Sequence, residues 1–397
     1  MVTVPEASAI IFDHLFSPRV ITLNLSECIG KALAEKVVAD RDFPPFDRVS
    51  MDGISIQYAA WIKGTHKFEI EAIQAAGEKQ KILTDPSHCL EVMTGAVLPQ
   101  GCDVVIRYED IKIEGTHASI QTDSLTQWQS IHKKSADARK LEVLLEPGFL
   151  ISPAEVALLA SVGKSRVAVY DFPKAAIIST GDELVSVDVT PQPYQIRRSN
   201  SFALESAMAE MGWDVACFHL EDEKNSMEKA LAGILHQCDV LILSGGVSRG
   251  KFDFVPEVLE SLGIHKLFHQ VSQRPGKPFW FGKSSSGKVA FALPGNPVST
   301  FMCFYKYVKP WCLKSTGIVP SQNYAQLGTD FTFAPALTYF LQVSVKNEQG
   351  RLIAYPVAGG GSGDFANLKN VHGFLELPKE KNDFKAGEVF PYIPFRH

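Results

Sequence analysis

The sequence predicts an α/β plus β protein: a parallel α/β domain, a discontinuous N-terminal helical domain, an inserted β-rich domain and a C-terminal β domain. Three observations predict it. Residues 173–315 alternate short apolar runs with stretches of helical periodicity, as repeated βα units do. Residues 49–140 are strand-like, punctuated by Gly and Pro, with no long helical pattern. Residues 316–397 are strand-rich again, with Leu341, Val343 and Val345 alternating. At 397 residues the chain exceeds one ordinary core, so two to four domains are expected.

In chain order, residues 5–16 and 26–38 read as two helices. Ser26 is placed to cap the second, and Ile29, Leu33 and Val37 fall at helical spacing. Phe43-Pro-Pro-Phe46 closes this region. Helical character returns at Ser152-Pro-Ala-Glu155, where Ser caps, Pro takes the first position and Glu closes a capping box; this helix runs to Gly163. The simplest organisation joins 1–48 with 141–172 in one domain and inserts 49–140 between them. Within 173–315, strands are expected at 175–179, 215–219, 240–243 and 288–293, giving a parallel sheet covered on both faces. Helices are expected at 200–211, 225–236, 255–262 and from Pro297 to about Trp311, with Asp253 and Asn296 as caps. The 359–363 run of glycines and serine reads as a flexible loop, and 264–271 as an extended segment.

Composition narrows the function. A net charge of −5 and a pI near 6.1 argue against a nucleic-acid-binding surface. No apolar run approaches the roughly 18–20 residues that span a bilayer, and the N-terminus lacks a secretory pattern. Seven cysteines, an odd number without a C-x-x-C pair, fit reduced thiols in the cytoplasm. No H-E-x-x-H, Walker A or G-x-S-x-G pattern occurs.

The informative stretch is Val240 to Asp253. A buried strand breaks sharply at Ser244-Gly245-Gly246 and leads into a helix, the usual setting for a ligand at the carboxyl end of a parallel strand. Free N–H groups there favour an anion. The loops 180–183, 244–253, 273–278 and 294–297 are expected on that same edge. They carry the cations Arg249, Lys251, Arg274 and Lys277 and the carboxylates Asp182, Glu183 and Asp253. A positive patch on an acidic protein suits a small anionic ligand, and the carboxylates suit Mg²⁺ with phosphates. The alternative is a set of ordinary caps and surface ion pairs.

Taken together, the motifs resemble those of the MoeA family of molybdenum-cofactor biosynthesis, to which the gephyrin E domain is related. The motifs that carry the resemblance are Met51-Asp-Gly53, Glu91-Val-Met-Thr-Gly-Ala96 with Leu98 to Val105, Ser179-Thr-Gly-Asp-Glu-Leu184, Ser244-Gly-Gly-Val-Ser248 with Gly250 and Asp253, Pro275-Gly-Lys-Pro278, and Leu293-Pro-Gly-Asn-Pro-Val-Ser299. They stand in family order over nearly the whole chain. The resemblance implies a MogA-like α/β domain and a homodimer. It implies hydrolysis of adenylylated molybdopterin with Mg²⁺ and transfer of molybdenum from molybdate to the dithiolene, with a MogA-type adenylyltransferase as a partner. It places catalytic roles on Asp52, Thr94, Glu183, Asp222 and Asp253, with Glu183 and Asp253 at the metal. Substrate contacts fall on Ser244, Gly245, Gly246, Ser248, Arg274, Lys277, Pro294, Pro297 and Ser362. Asp52 and Thr94 lie in the inserted domain, which in family dimers faces the partner's α/β domain.

Several positions depart from the family pattern. Arg274 replaces a lysine, Arg249 a valine and Gln342 an arginine; Pro256 stands where the family has a basic residue. The 134–137 element keeps Asp137 as its carboxylate, and Met51-Asp-Gly53 continues with Ile54 and Ser55. A catalytically weakened paralogue that carries the pterin is the alternative these changes raise.

Overall fold

The apolar run at 240–243 forms the strand Val240–Ser244, with every residue buried. In the computed structural model, which describes residues 1–247 and 253–396, this strand is central to a six-stranded sheet. The order is Val215–Leu220, Ala175–Thr180, Val240–Ser244, Val289–Leu293, Trp280–Ser284, Ile264–Phe268. Alternate residues of the central strands feed two cores, because successive side chains of a strand point to opposite faces. Ala175, Ile177, Val240, Ile242 and Phe291 enter one, with Leu204 and Met208. Ala176, Ile178, Leu241, Leu243 and Ala290 enter the other, with Met227, Leu231 and Val258. The sheet is therefore doubly covered, as predicted.

It is not wholly parallel. The first four strands run parallel, but Trp280–Ser284 pairs antiparallel with Val289–Leu293 and with Ile264–Phe268. The link between Ser284 and Val289 is a tight turn, and a parallel crossover needs a dozen residues or more.

By Cα packing the chain forms two compact units: residues 1–35, 147–156 and 166–397, and residues 36–146 with 157–165. In the first, the helix Val4–Phe12 is fixed by a capping box between Thr3 and Glu6 and buries Val4, Ala7 and Ile11 in the α/β core. It ends at Asp13 rather than Phe16. The expected helix at 26–38 does not form. Leu25–Glu27 is a single 3₁₀ turn, and Gly30 follows with φ +76°. Ala32–Leu33 then pairs with the strand Arg166–Asp171, which also pairs with Arg19–Asn24. Ile29 is 56% exposed, whereas Leu33 is fully buried. The helical spacing was coincidental, and strand partners from distant sequence override it.

The last helix of the α/β region is longer than expected and interrupted. Pro297–Cys303 passes through a π turn at Phe304–Val308 into Lys309–Ser315. Pro310 has no N–H to give the preceding turn, and a π turn absorbs that defect. Residues beyond 316 close a five-stranded barrel. Its ring is Thr338–Glu348, Arg351–Pro356, Asn323–Leu327, Val389–Pro394 and Gly373–Leu377, the last pairing back with the first. Gln273–Arg274 adds to Thr338–Tyr339 in parallel, tying the 273–278 loop to the barrel.

The second unit holds a separate six-stranded sheet: Val104–Arg107, Gly53–Ile56, His88–Val92, Lys67–Gln74, His117–Ile120, Ile111–Glu114. Ile54, Ile56, Phe68, Val104 and Ile106 form its core. A Cβ on Gly53 would lie 1.9 Å from the Ile106 carbonyl oxygen, which explains the glycine of Met51-Asp-Gly53.

Candidate functional site

Three parallel strands end together at Thr180, Ser244 and Leu293, and the turns that follow form the ligand edge. Gly245 and Gly246 have φ +104° and +65°. A Cβ on Gly245 would sit 2.8 Å from the Thr180 carbonyl oxygen, and one on Gly246 2.7 Å from Val255 Cγ2. Only glycine allows so close a crossing of the two turns.

Two clefts open here, both within the first unit, and Pro278, Pro294 and Asn296 line both. The larger, about 580 Å³, is lined by Glu183, Asp222, Asp253, Ser244, Gly245, Gly246, Pro294 and Pro297, together with Thr180, Arg198 and Asn200. The smaller, about 300 Å³, is lined by Arg274, Lys277, Gln342 and Ser362. Eleven of the fourteen predicted site residues thus come to one edge. Ser248 lies outside the described residues, as do Arg249 and Lys251 of the expected basic patch. Asp52 and Thr94 belong to the second unit and pair with each other: Thr94 donates from N and Oγ1 to Asp52 Oδ1 at 2.6 and 2.7 Å. Those bonds hold the Asp52 carboxyl below its usual range.

Two expected caps are corrected. The helix Val255–Ser261 has Phe254, not Asp253, at its N-cap, which leaves Asp253 at the cleft wall. Asn296 does stand at the N-cap of Pro297–Cys303, but its side chain makes no capping bond. It donates instead to Ser362 Oγ at 2.9 Å. Val298 N donates to the Ser362 carbonyl at 3.1 Å, so the expected flexible glycine loop is anchored at the smaller cleft. The 273–278 loop is anchored too: buried Gln273 donates to Gly276 O at 2.9 Å and accepts from the Tyr307 hydroxyl, which the π turn delivers.

Electrostatically the larger cleft is carboxylate-rich. Burial raises the Asp222 pKa, and the charges of Asp182, Glu183 and Asp253 raise it further. Asp182 itself accepts from Asp222 N at 3.0 Å, so it is a backbone anchor. Asp222 Oδ1, Thr180 Oγ1 and Arg198 Nε are buried without hydrogen-bond partners among the described residues. Unpaired buried polar atoms are costly and need a ligand, ion or water. Among the described residues no group of three or more His, Cys, Asp or Glu is arranged to cage a metal. Mg²⁺ fits the donor set nonetheless, because it takes one or two carboxylates and completes its shell with water and substrate phosphate.

Sequence reasoning missed Arg198 and Asn200. Asn200 Nδ2 lies 2.8 Å from Ser244 Oγ, 2.8 Å from Gly295 O and 3.3 Å from Thr300 Oγ1, linking the end of the central strand to the 294–297 turn and the helix after it. The available signal was Arg197-Arg198-Ser-Asn200, a basic pair just before a helix start. Gln342, expected to remove a basic contact, lines the smaller cleft and accepts from Asn367 Nδ2 at 3.2 Å. In the 134–137 element, Asp137 pairs with His132 Nε2 at 2.8 Å and Lys134 with Asp42 at 3.3 Å.

Fold and site together define an α/β protein with two adjoining clefts at the carboxyl edge of its sheet, one carboxylate-rich and one holding Arg274 and Lys277. Comparison with known proteins makes this particular. Family profiles for the MoeA N-terminal region (domain I and II), a probable molybdopterin binding domain and the MoeA C-terminal region (domain IV) match residues 2–163, 176–314 and 324–395. A molybdopterin molybdenumtransferase of Synechocystis sp. is 40% identical over 396 residues, covering 99% of each chain. That of Haemophilus influenzae is 30% identical over 410 residues, covering 100% of this chain and 99% of the relative. A crystal structure of the molybdopterin biosynthesis MoeA protein of Pyrococcus horikoshii matches with a TM-score of 0.86 at 25% identity, covering 100% of each chain. The chain belongs to the MoeA family.

Proposed function

We propose that this protein is a molybdopterin molybdenumtransferase, which inserts molybdenum into the pterin during molybdenum-cofactor biosynthesis. The substrates in this reading are adenylylated molybdopterin and molybdate. The observation that carries it is the pair of adjoining clefts, one rich in carboxylates and one holding Arg274 and Lys277. A ligand whose two phosphates are joined as a diphosphate between the pterin and the nucleotide can set one in each of two adjoining clefts, with a metal ion at one of them.

In this reading Lys277 and Arg274 take the pterin phosphate, and Gly245 and Gly246 let the backbone approach the ligand closely. Glu183 and Asp253 would hold Mg²⁺, and the ion would supply charge stabilisation at the adenylate phosphate. Asp222, its proton affinity raised by its neighbours, orients water toward that phosphate. Molybdate is an oxyanion and would share this cationic cleft with the pterin phosphate, where position 342 is a neutral amide.

The homodimer, the MogA-type partner and a cytoplasmic location are parts of the same proposal. No helix among the described residues is long and apolar enough to cross a membrane. All seven cysteines are free thiols, six of them buried, as suits a reducing compartment. Asp52 and Thr94 serve the reaction through the homodimer in this reading. Mixing inactive Asp52→Asn and Asp253→Asn proteins should then restore part of the activity in mixed dimers.

The direct test is AMP release from adenylylated molybdopterin with molybdate and Mg²⁺. Molybdate-dependent release is expected. Tight pterin binding with no release would instead establish a carrier, the reading that Gln342 favours.

A further inference from the structure

Arg197 and Arg198 both line the larger cleft; Arg197 Nε donates to Val189 O at 3.1 Å, whereas the hydrogen bonding of Arg198 is incomplete. Its Nε is buried and has no partner among the described residues, while the residue lines the cleft. Its place is fixed from the backbone. Arg198 N donates to Val185 O at 3.0 Å, extending the parallel pairing of Ile196–Arg197 with Leu184–Val185. The ten-residue helix Asn200–Ala209 begins immediately afterwards, and its N-cap, Ser199, makes no side-chain capping bond. Ser199, Asn200 and Ser201 all line the cleft, so the positive end of that helix faces it alongside the guanidinium. Thr180 Oγ1, another unpaired buried atom, lines the same cleft. The Asn200 amide is already committed to Ser244, Gly295 and Thr300.

An orphaned guanidinium N–H, an uncapped helix start and an orphaned hydroxyl share one chemical requirement, an anionic oxygen acceptor. Asp222 does not meet it, since its Oδ1 is itself without a partner among the described residues. Arg274 and Lys277 line the other cleft. A ligand that enters both clefts with negative charge in each needs a cation in each. The geometry points to Arg198 as the residue that binds the phosphate of the substrate's nucleotide end in the larger cleft, and so distinguishes a nucleotide-bearing pterin from the pterin monophosphate. This rests on the proposed reaction.

The test uses the full-length protein and two variants, Arg198→Gln and Arg198→Lys, with AMP and molybdopterin as separate probes in calorimetry. Arg198→Gln is expected to weaken AMP about tenfold to a hundredfold, the range for losing a hydrogen bond to a charged group. It should leave molybdopterin affinity within about threefold of the parent, since that phosphate lies with Lys277. KM for adenylylated molybdopterin should rise by more than kcat falls, and Arg198→Lys should recover part of the loss, because it keeps the charge without the planar fork. Unchanged AMP binding in Arg198→Gln overturns the inference. So does an equal loss for AMP and molybdopterin, which would make Arg198 a support of the cleft's shape. If Arg198→Gln does not fold, Arg198→Lys decides, and AMP binding equal to the parent counts against the inference. A parent protein that binds AMP through Arg198 but never releases it from substrate would reject the proposed reaction while supporting this assignment.

Discussion

Asp222 shows how one side chain's surroundings set its chemistry. Its pKa is raised by burial and by Asp182, Glu183 and Asp253, so the native state holds its proton more tightly than the unfolded chain does. The ionised form therefore costs stability above the folded pKa, and that cost disappears below the ordinary 3.8. Asp222→Asn should raise Tm by about 1–2 °C at pH 7. The gain should fade as pH drops through the folded pKa and vanish below 3.8, and AMP release at pH 7 should fall about a hundredfold. Mg²⁺ should stabilise the parent more than Asp253→Asn, which loses a proposed ligand, as thermal melts with and without the ion will measure. Asp52 is the opposite case: two bonds from Thr94 lower its pKa, so its contribution is present above 3.8 and is lost as pH falls through the folded value. Carboxyl NMR titration should find Asp52 below 3.8 in the parent and returned toward it in Thr94→Ala. At this scale the sequence marked Asp222 and Asp52 only through family motifs. Their pKa shifts depend on neighbours remote in the chain, such as Thr94 for Asp52.

Elements were legible where one local rule sufficed. Val240–Ser244 is apolar throughout and buried throughout, and Lys224–Gln237 buries the Met227, Leu231 and Ile234 that its period predicts. The rules failed where a distant partner decided, as at Ala32–Leu33, and where a short link forced an antiparallel pair, as after Ser284. The turn at Gly245 is an element-scale commitment. Gly245→Ala should lower stability by about 1–3 kcal/mol in urea unfolding and weaken ligand binding, since its Cβ would press on Thr180 at a positive φ. Asn200→Ala removes the amide that joins Ser244 to the 294–297 turn and its helix, and a similar loss of about 1–3 kcal/mol is expected. A melt unchanged from the parent would show that the loops hold themselves.

Across the molecule, the C-terminal barrel and the α/β layer are joined by specific contacts as well as by sequence. Lys306, in the π turn, and Glu376, on a barrel strand, form a 2.6 Å ion pair with side chains 19% and 18% exposed. Glu376→Ala should cost about 1–3 kcal/mol in urea unfolding, between the values for exposed and buried pairs, while Glu376→Gln should cost less. The sequence by itself determined the α/β plus β class, the central strands, the glycine turn and the family motifs. Each is written in contiguous residues through periodicity and backbone chemistry. Tertiary structure alone decided the antiparallel half of the sheet, the closed barrel and the arrival of the 362 loop at the edge where the 180, 245, 274 and 294 loops were expected. It also gathered Arg198, Thr180 and Asp222, each with a buried unpaired atom, around a shared cleft. Those outcomes rest on contacts between residues far apart in the chain, whose loop-closure entropy is repaid only when the whole core packs.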